Sequence, residues 1–263
     1  MDLQLKNKSI LVTGGNRGIG LSIALGFAAE GANVAICGRD QRALDNARQA
    51  IEACGVKAVA VATDLFTAEG CELAVSTAFD AFGGLDVLVN NASTNVGGQL
   101  ETLADEQLIE RFMGKTLASM RCSRAALPHL RRSGAGRVIC IGGAAARFAA
   151  RSTLPSGLGN ASTANFVKHL SNDVAADGIT VNIVHPSFTK TDRYPARRAA
   201  LAEREGISLD EAEASFASEF PIGRIVEPAD IAPMVMFLAS PLASAITGQA
   251  IAIDGGSTPQ IMY

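Results

Sequence analysis

Seven short apolar runs rich in Val, Ile and Ala, each separated from the next by a longer stretch of helical character, leave this chain few folds to adopt. The runs are Ser9 to Thr13, Asn33 to Cys37, Ala58 to Ala62, Val87 to Asn90, Arg137 to Ile141, Thr180 to Val184 and Ala250 to Ile253. Strands alternating with helices are the pattern of a parallel sheet whose crossover connections cover both of its faces. Gly31, Gly55, Gly83 and Gly178 each stand where a helix has to stop before the next strand begins. At 263 residues the chain is long for one domain, yet wound sheets of this kind reach that length as a single unit, so one domain spanning 1–263 is expected.

Composition excludes several alternatives. Hydrophobic residues make up 48% and charged residues 19%, which suits a packed body and not a disordered or fibrous one. A formal net charge of −3 offers no general attraction to nucleic acid or to an anionic membrane. Residues 231–253 carry no formal charge, but Pro233, Pro241 and Gly248 interrupt them, so helix, turn and strand are expected there in place of a membrane span. The five cysteines, Cys37, Cys54, Cys71, Cys122 and Cys140, are odd in number and lack metal-ligand spacing; they read as buried, reduced thiols of a cytoplasmic protein, and no metal site is predicted. No secretory leader is recognisable at the N-terminus.

The first strand runs directly into Thr13-Gly14-Gly15-Asn16-Arg17-Gly18-Ile19-Gly20, and a helix with apolar positions Ile19, Ile23 and Phe27 follows. Glycines without Cβ let a pyrophosphate approach the backbone, and a helix N-terminus presents free N–H groups and partial positive charge. The turn therefore predicts dinucleotide binding on a Rossmann-like, doubly wound seven-stranded sheet. At the end of the second strand stands Arg39, where an NAD-selecting protein places an acidic group for the ribose hydroxyls. Together with Arg17 it suits a ribose 2′-phosphate, so NADP(H) is expected over NAD(H).

These residues resemble the short-chain dehydrogenase/reductase family. So do Asp64 after the third strand, Asn90-Asn91-Ala92 after the fourth and Asp254-Gly255-Gly256 after the last. Ala126-Leu127-Pro128-His129, Gly178-Ile179-Thr180-Val181-Asn182 and Ile246-Thr247-Gly248-Gln249 extend the resemblance over nearly the whole chain. It implies that Asp64 and Leu65 meet the adenine, that Asn91 and Ala92 line the middle of the cofactor, and that Pro186, Thr189 and Thr191 lie at the nicotinamide. Ser187 departs from the family's Pro-Gly at that point. The polar, helix-prone segment Lys190 to Phe220 follows the sixth strand, where it is placed to act as a substrate lid. A homotetramer or homodimer is implied by the same resemblance.

The family's chemistry uses a tyrosine as acid and base, a lysine four residues on to lower its pKa, a serine to hold the substrate oxygen and an asparagine to support a proton relay. Aligned from both flanks, the tyrosine position falls on Ser156, the lysine on Asn160, the serine on Gly143 and the asparagine on Lys115. The only tyrosines are Tyr194 and Tyr263, and neither precedes a lysine by four residues. Lys115 is then a candidate to donate a proton, polarise a carbonyl or bind an anion. Ser156 and Asn160 are candidates for fixing a substrate oxygen and the nicotinamide ribose. Arg147, Arg151, Arg193, Arg197 and Arg198 suggest a carboxylate or phosphate on the small-molecule ligand, Tyr194 is a candidate substitute acid, and His185 reads as structural. Two functions remain open on this scaffold. One is an oxidoreductase of carbonyls and alcohols with an atypical centre, or a relative turned to non-redox chemistry. The other is an NADP(H)-binding pseudoenzyme, a sensor or a subunit of an oligomer.

Overall fold

Every apolar run becomes a strand in the computed structural model, which describes residues 1–94 and 96–259. The strands are β1 (Ser9–Thr13), β2 (Asn33–Gly38), β3 (Ala58–Ala62), β4 (Val87–Asn90), β5 (Arg137–Ile141), β6 (Thr180–Pro186) and β7 (Ala250–Ile253). All neighbouring pairs are parallel, in the order β3-β2-β1-β4-β5-β6-β7. The chain winds outward from β1 to β3 and then returns to lay β4 beside β1. That reversal opens a crevice at the carboxyl ends of β1 and β4, which is where open α/β sheets receive ligands.

The helices are α1 (Gly18–Ala29), α2 (Gln41–Glu52), α3 (Ala68–Phe82), α4 (Asp105–Phe112), α5 (Ala118–Ser133), α6 (Leu154–Val174), α7 (Tyr194–Glu205), α8 (Leu209–Ser218) and α9 (Pro228–Ala239). Successive strand residues face opposite sides, so Ile10 and Val12 enter one core with Phe27 of α1, Leu44 of α2 and Val235 of α9. Leu11 enters the other, with Val75 of α3, Leu130 of α5 and Val167 of α6. The four glycines expected to stop helices all adopt left-handed φ angles, between +71 and +82°.

The uncharged stretch 231–253 resolves into α9, a short turn and β7, and among the described residues no helix is long and apolar enough to cross a membrane. Four of the cysteines are buried, but Cys54 is exposed in the turn after α2, a correction to the reading of all five as buried. The turn, Ala53-Cys54-Gly55, is exposed throughout and ends at Gly55, whose left-handed φ of 82° carries the chain toward β3 across the surface.

Candidate functional site

A cleft of about 550 Å³ lies over the carboxyl ends of the central strands. Arg39, Asp64 and Leu65 stand at one end, the turn from Gly14 through Asn16, Arg17, Gly18, Ile19 and Gly20 forms its middle, and Asn91, Ala92, Lys115, Gly142 and Thr191 line the other end. A second cavity of about 230 Å³, lined in part by Pro186, Thr189, Arg193 and Arg197, shares Ile19, Gly142, Thr191 and Arg193 with the first. Every residue expected to hold a cofactor therefore lines one of two adjoining cavities.

Local geometry accounts for the shape of the turn. Gly14 and Gly18 have φ of 64 and 54°, and a Cβ on Gly20 would overlap the Gly14 carbonyl oxygen. No side chain caps α1, so the N–H groups of its first turn stay available to an anion. Thr13 and Asn91 brace the turn from behind. Asn91 Nδ2 donates to the carbonyls of Thr13 (2.9 Å) and Gly14 (3.1 Å), while the Asn91 and Ala92 N–H groups donate to Thr13 Oγ1. The amide of Asn91 thus shapes the cradle, a role its place in the sequence does not reveal.

At the outer end, the Arg39 guanidinium stands 5.8 Å from the centroid of the Phe66 ring. The neighbouring Asp40 carboxylate accepts a bond from Ala43 N at 3.1 Å and caps α2. The acidic group nearest the end of β2 is thereby engaged in holding its own helix. Asp64 accepts from Phe66 N at 3.1 Å and so helps to seat the same ring.

At the inner end, helix α4 passes into α5 through a single π-helical turn, Met113–Leu117, which carries Lys115 inward. Lys115 is 2% exposed, and its ammonium donates to the carbonyl of Ile141 at the end of β5. Burial, reinforced by the charge of Arg111 one turn earlier, draws its pKa down to about 7, against a smaller opposing influence from Cys140. Arg111 is itself buried and donates to Ser93 Oγ and the Thr94 carbonyl, tying down the loop after β4. A lone arginine in a polar helix gave no sign of this in the sequence.

Ser156 and Asn160 occupy one face of α6, and neither is among the residues lining the two cavities. Asn160 is buried against Gly143, where an added Cβ would come within 2.6 Å of Asn160 Nδ2. Tyr194 corrects an expectation. It is buried among Phe188 and Phe216, and its hydroxyl donates to Glu213 at 2.8 Å. Burial and that carboxylate push the phenol up to about 12, the wrong direction for a substitute acid at neutral pH. Tyr263 lies outside the described residues. Glu213 also pairs with Lys190 and Arg198, so Arg198 is committed to joining α7 to α8, whereas Arg197 stands over the Phe188 ring at 5.3 Å. Among the described residues no cluster of His, Cys, Asp or Glu is arranged to hold a metal ion.

His185, near the end of β6, is buried beneath Gly142 and Gly143, with Nδ1 3.0 Å from Gly143 N. Burial, with the charges of Arg147 and Lys115, lowers its pKa from 6.5 to about 4, against the opposing hydrogen bond between Nδ1 and the Gly143 carbonyl, also 3.0 Å away. The unfolded chain therefore binds a proton on this residue between those pH values that the folded chain does not, and stability falls as pH drops through the window. The expected loss is about 3 kcal/mol. His185→Asn keeps an acceptor for Gly143 N and should lack that component of the acid loss, as urea unfolding at about pH 6.5 and about pH 4.5 would show. Equal acid loss in both proteins would refute the assignment.

Comparisons with known proteins agree with this geometry. The family model described as enoyl-(acyl carrier protein) reductase matches residues 14–258. The chain is 35% identical to a short-chain reductase protein, NovJ, of Streptomyces niveus, over 94% of this chain and 92% of that one. It is 36% identical to a hydroxynaphthalene reductase of Aspergillus fumigatus over 94% and 91%. Among solved structures, an L-sorbose reductase of Gluconobacter frateurii, complexed with NADPH and L-sorbose, superposes with a TM-score of 0.95 at 31% identity, covering 99% of this chain and all of that one (100%).

Proposed function

The chain belongs to the short-chain dehydrogenase/reductase family, and we propose on that footing that it is an oxidoreductase of carbonyls and alcohols that prefers NADP(H) to NAD(H) and works through an atypical, slow centre. The preference is carried by Arg39, held over Phe66 beside the cradle while the adjacent Asp40 is committed to its helix cap. A dinucleotide fits the cleft because its middle is a glycine cradle that a Cβ would fill. Gly14, Asn16, Gly18, Ile19 and Gly20 would hold the pyrophosphate, Arg17 and Arg39 the 2′-phosphate, and Asp64 and Leu65 the adenine. Asn91 and Ala92 would lie along its centre, with Pro186, Thr189 and Thr191 at the nicotinamide. Bound there, the group supplies hydride chemistry. The second cavity beneath residues 190–220 would receive the substrate, with those residues as its lid.

The atypical centre follows from Lys115, Gly143, Ser156 and Asn160 occupying the family's catalytic positions. A serine hydroxyl is far less acidic than a phenol, and Asn160 brings no charge to lower its pKa. A second reading, a cofactor-binding chain without turnover, is favoured by the tethered phenol of Tyr194 and by the place of Ser156 outside the cavity walls.

Fluorescence titration with NADPH and NADH tests the first reading. Arg39→Ala should weaken NADPH binding about 10- to 100-fold, the loss of a charge-assisted contact, and leave NADH binding within about twofold. Equal losses for both nucleotides would overturn the assignment of the 2′-phosphate site. Oxidation of NADPH across a panel of carbonyls separates the slow enzyme from the non-catalytic protein.

A further inference from the structure

We propose that Lys115 is the proton-transfer group of this cleft: its ammonium gives a proton to the oxygen of a carbonyl substrate as the carbonyl carbon accepts hydride from the reduced dinucleotide. One N–H bond of Lys115 and one C–H bond of the reduced dinucleotide break, a C–H and an O–H bond form as the carbonyl is reduced to an alcohol, and the dinucleotide is left oxidised. The amine left behind recovers its proton from water. The inference rests on the nicotinamide-dinucleotide reading of the cleft.

The placement of the amine carries it. Lys115 lines the cleft together with Ile141, Gly142 and Thr191, at the end opposite Arg39, where the cleft meets the second cavity. The π-helical turn that delivers it is pinned, because Gly114 packs so closely on Phe66 that a Cβ would strike the ring. The ammonium has three donors and, among the described residues, uses one, on the carbonyl of Ile141. β5 ends at Ile141 and Gly142 and Gly143 follow it, so the two residues beyond that carbonyl set no side chain beside the amine.

The ionisable groups facing it are Arg111 from its own helical run, Cys140 from β5 and His185 from β6. None is a carboxylic acid, and among the described residues no carboxylate pairs with Lys115. A buried amine without a counter-ion exchanges its proton near neutral pH, as its pKa of about 7 reflects. Proton donors work best when their pKa lies close to the working pH.

Two measurements test the role. In protein labelled with ¹³C at the lysine ε-carbons, one resonance, identified by its absence from Lys115→Met, should titrate near pH 7 and move on addition of NADP⁺. Titration above about pH 9, or indifference to the nucleotide, overturns the proposal. In turnover, carbonyl reduction should fall about tenfold for each pH unit above the inflection, and alcohol oxidation should rise through it. Lys115→Met should cost about 10²- to 10⁴-fold in kcat with NADPH affinity little changed. Lys115→Arg keeps the charge but does not release a proton in this range, so it should fail to restore turnover. Restoration by arginine, or a rise in KM confined to anionic carbonyls with kcat retained, would show charge pairing and overturn proton transfer. A protein that takes up no NADPH overturns the cofactor reading as well. One that binds NADPH and reduces no carbonyl overturns the proton-transfer role alone and leaves the non-catalytic reading in place.

Discussion

Lys115→Met is expected to stabilise the unliganded protein at neutral pH and to remove a rise in stability that the native chain shows between about pH 7 and about pH 9. Among the described residues the ammonium of Lys115 is buried without a carboxylate, and its pKa is drawn from 10.5 to about 7. Between those values the unfolded chain holds a proton on this residue that the folded chain has released. Stability therefore climbs with pH across the window, by about 2 kcal/mol from pH 7 to pH 9, and the cost of burying the charge is nearly all present at pH 7. Methionine fills a similar volume with no charge to desolvate. Against that gain, the carbonyl of Ile141 loses its donor, which costs about 1–3 kcal/mol at every pH. Because one contribution depends on pH and the other does not, urea midpoints at both pH values for both proteins separate them. Parallel pH profiles for the two proteins would show that Lys115 is not held neutral by the fold. Retaining a destabilising amine at the inner end of a cleft is what a functional group, and not a packing residue, is expected to do.

The fold was legible because buried parallel strands are apolar throughout and helices between them stop at glycine, and both signals are local. What sequence missed at strand ends came from pairing across the sheet. β2 runs on to Gly38 because that residue pairs with Ala62, and β6 runs on to Pro186 because it pairs with Ile253; neither residue type favours a strand by itself. The π-helical turn at Met113–Leu117 was likewise illegible, since it depends on how closely Gly114 meets Phe66 and Thr94, residues remote in the chain.

The candidate site shows the same division. Glycine spacing could be read directly, because a close-packed turn demands glycine at the end of a strand, and Arg39 stands at the cleft where its place after β2 puts it. The roles of Asn91 and Arg111 could not. Asn91 was expected to line the middle of the cofactor; it stands in the cleft wall, and its amide is spent on the carbonyls of Thr13 and Gly14. Arg111 gains its role only when folding brings Ser93 and Thr94 against it. Tyr194 was open as an acid only while Glu213, nineteen residues on, had no known position.

The combined variant Lys115→Asn, Gly143→Ser, Ser156→Tyr and Asn160→Lys is expected to raise NADPH-dependent carbonyl reduction about 10²- to 10⁴-fold, on the proposed assignment of the catalytic positions. The four changes have to act together. Gly143→Ser alone sets a Cβ 2.6 Å from Asn160 Nδ2, so it strains the contact that Gly143 and Asn160 share and should lower stability without adding turnover. Ser156→Tyr alone brings a phenol near its free pKa of about 10, mostly protonated and without a cation to assist it. Asn160→Lys supplies that cation from one helical turn away on α6, where residues four apart share a face. Lys115→Asn keeps two ammonium groups from competing for one buried corner. Because the groups act as a unit, the gain should be far from additive: Gly143→Ser, Ser156→Tyr and Asn160→Lys should each stay close to the parent, Lys115→Asn alone should lose turnover as Lys115→Met does, and the full set should stand well above the parent. Steady-state rates on one carbonyl panel, with NADPH affinity and thermal unfolding measured beside them, decide the matter. A folded, NADPH-binding quadruple variant no faster than the native chain would mean that Ser156 and Asn160 are not the positions from which this scaffold does its proton chemistry.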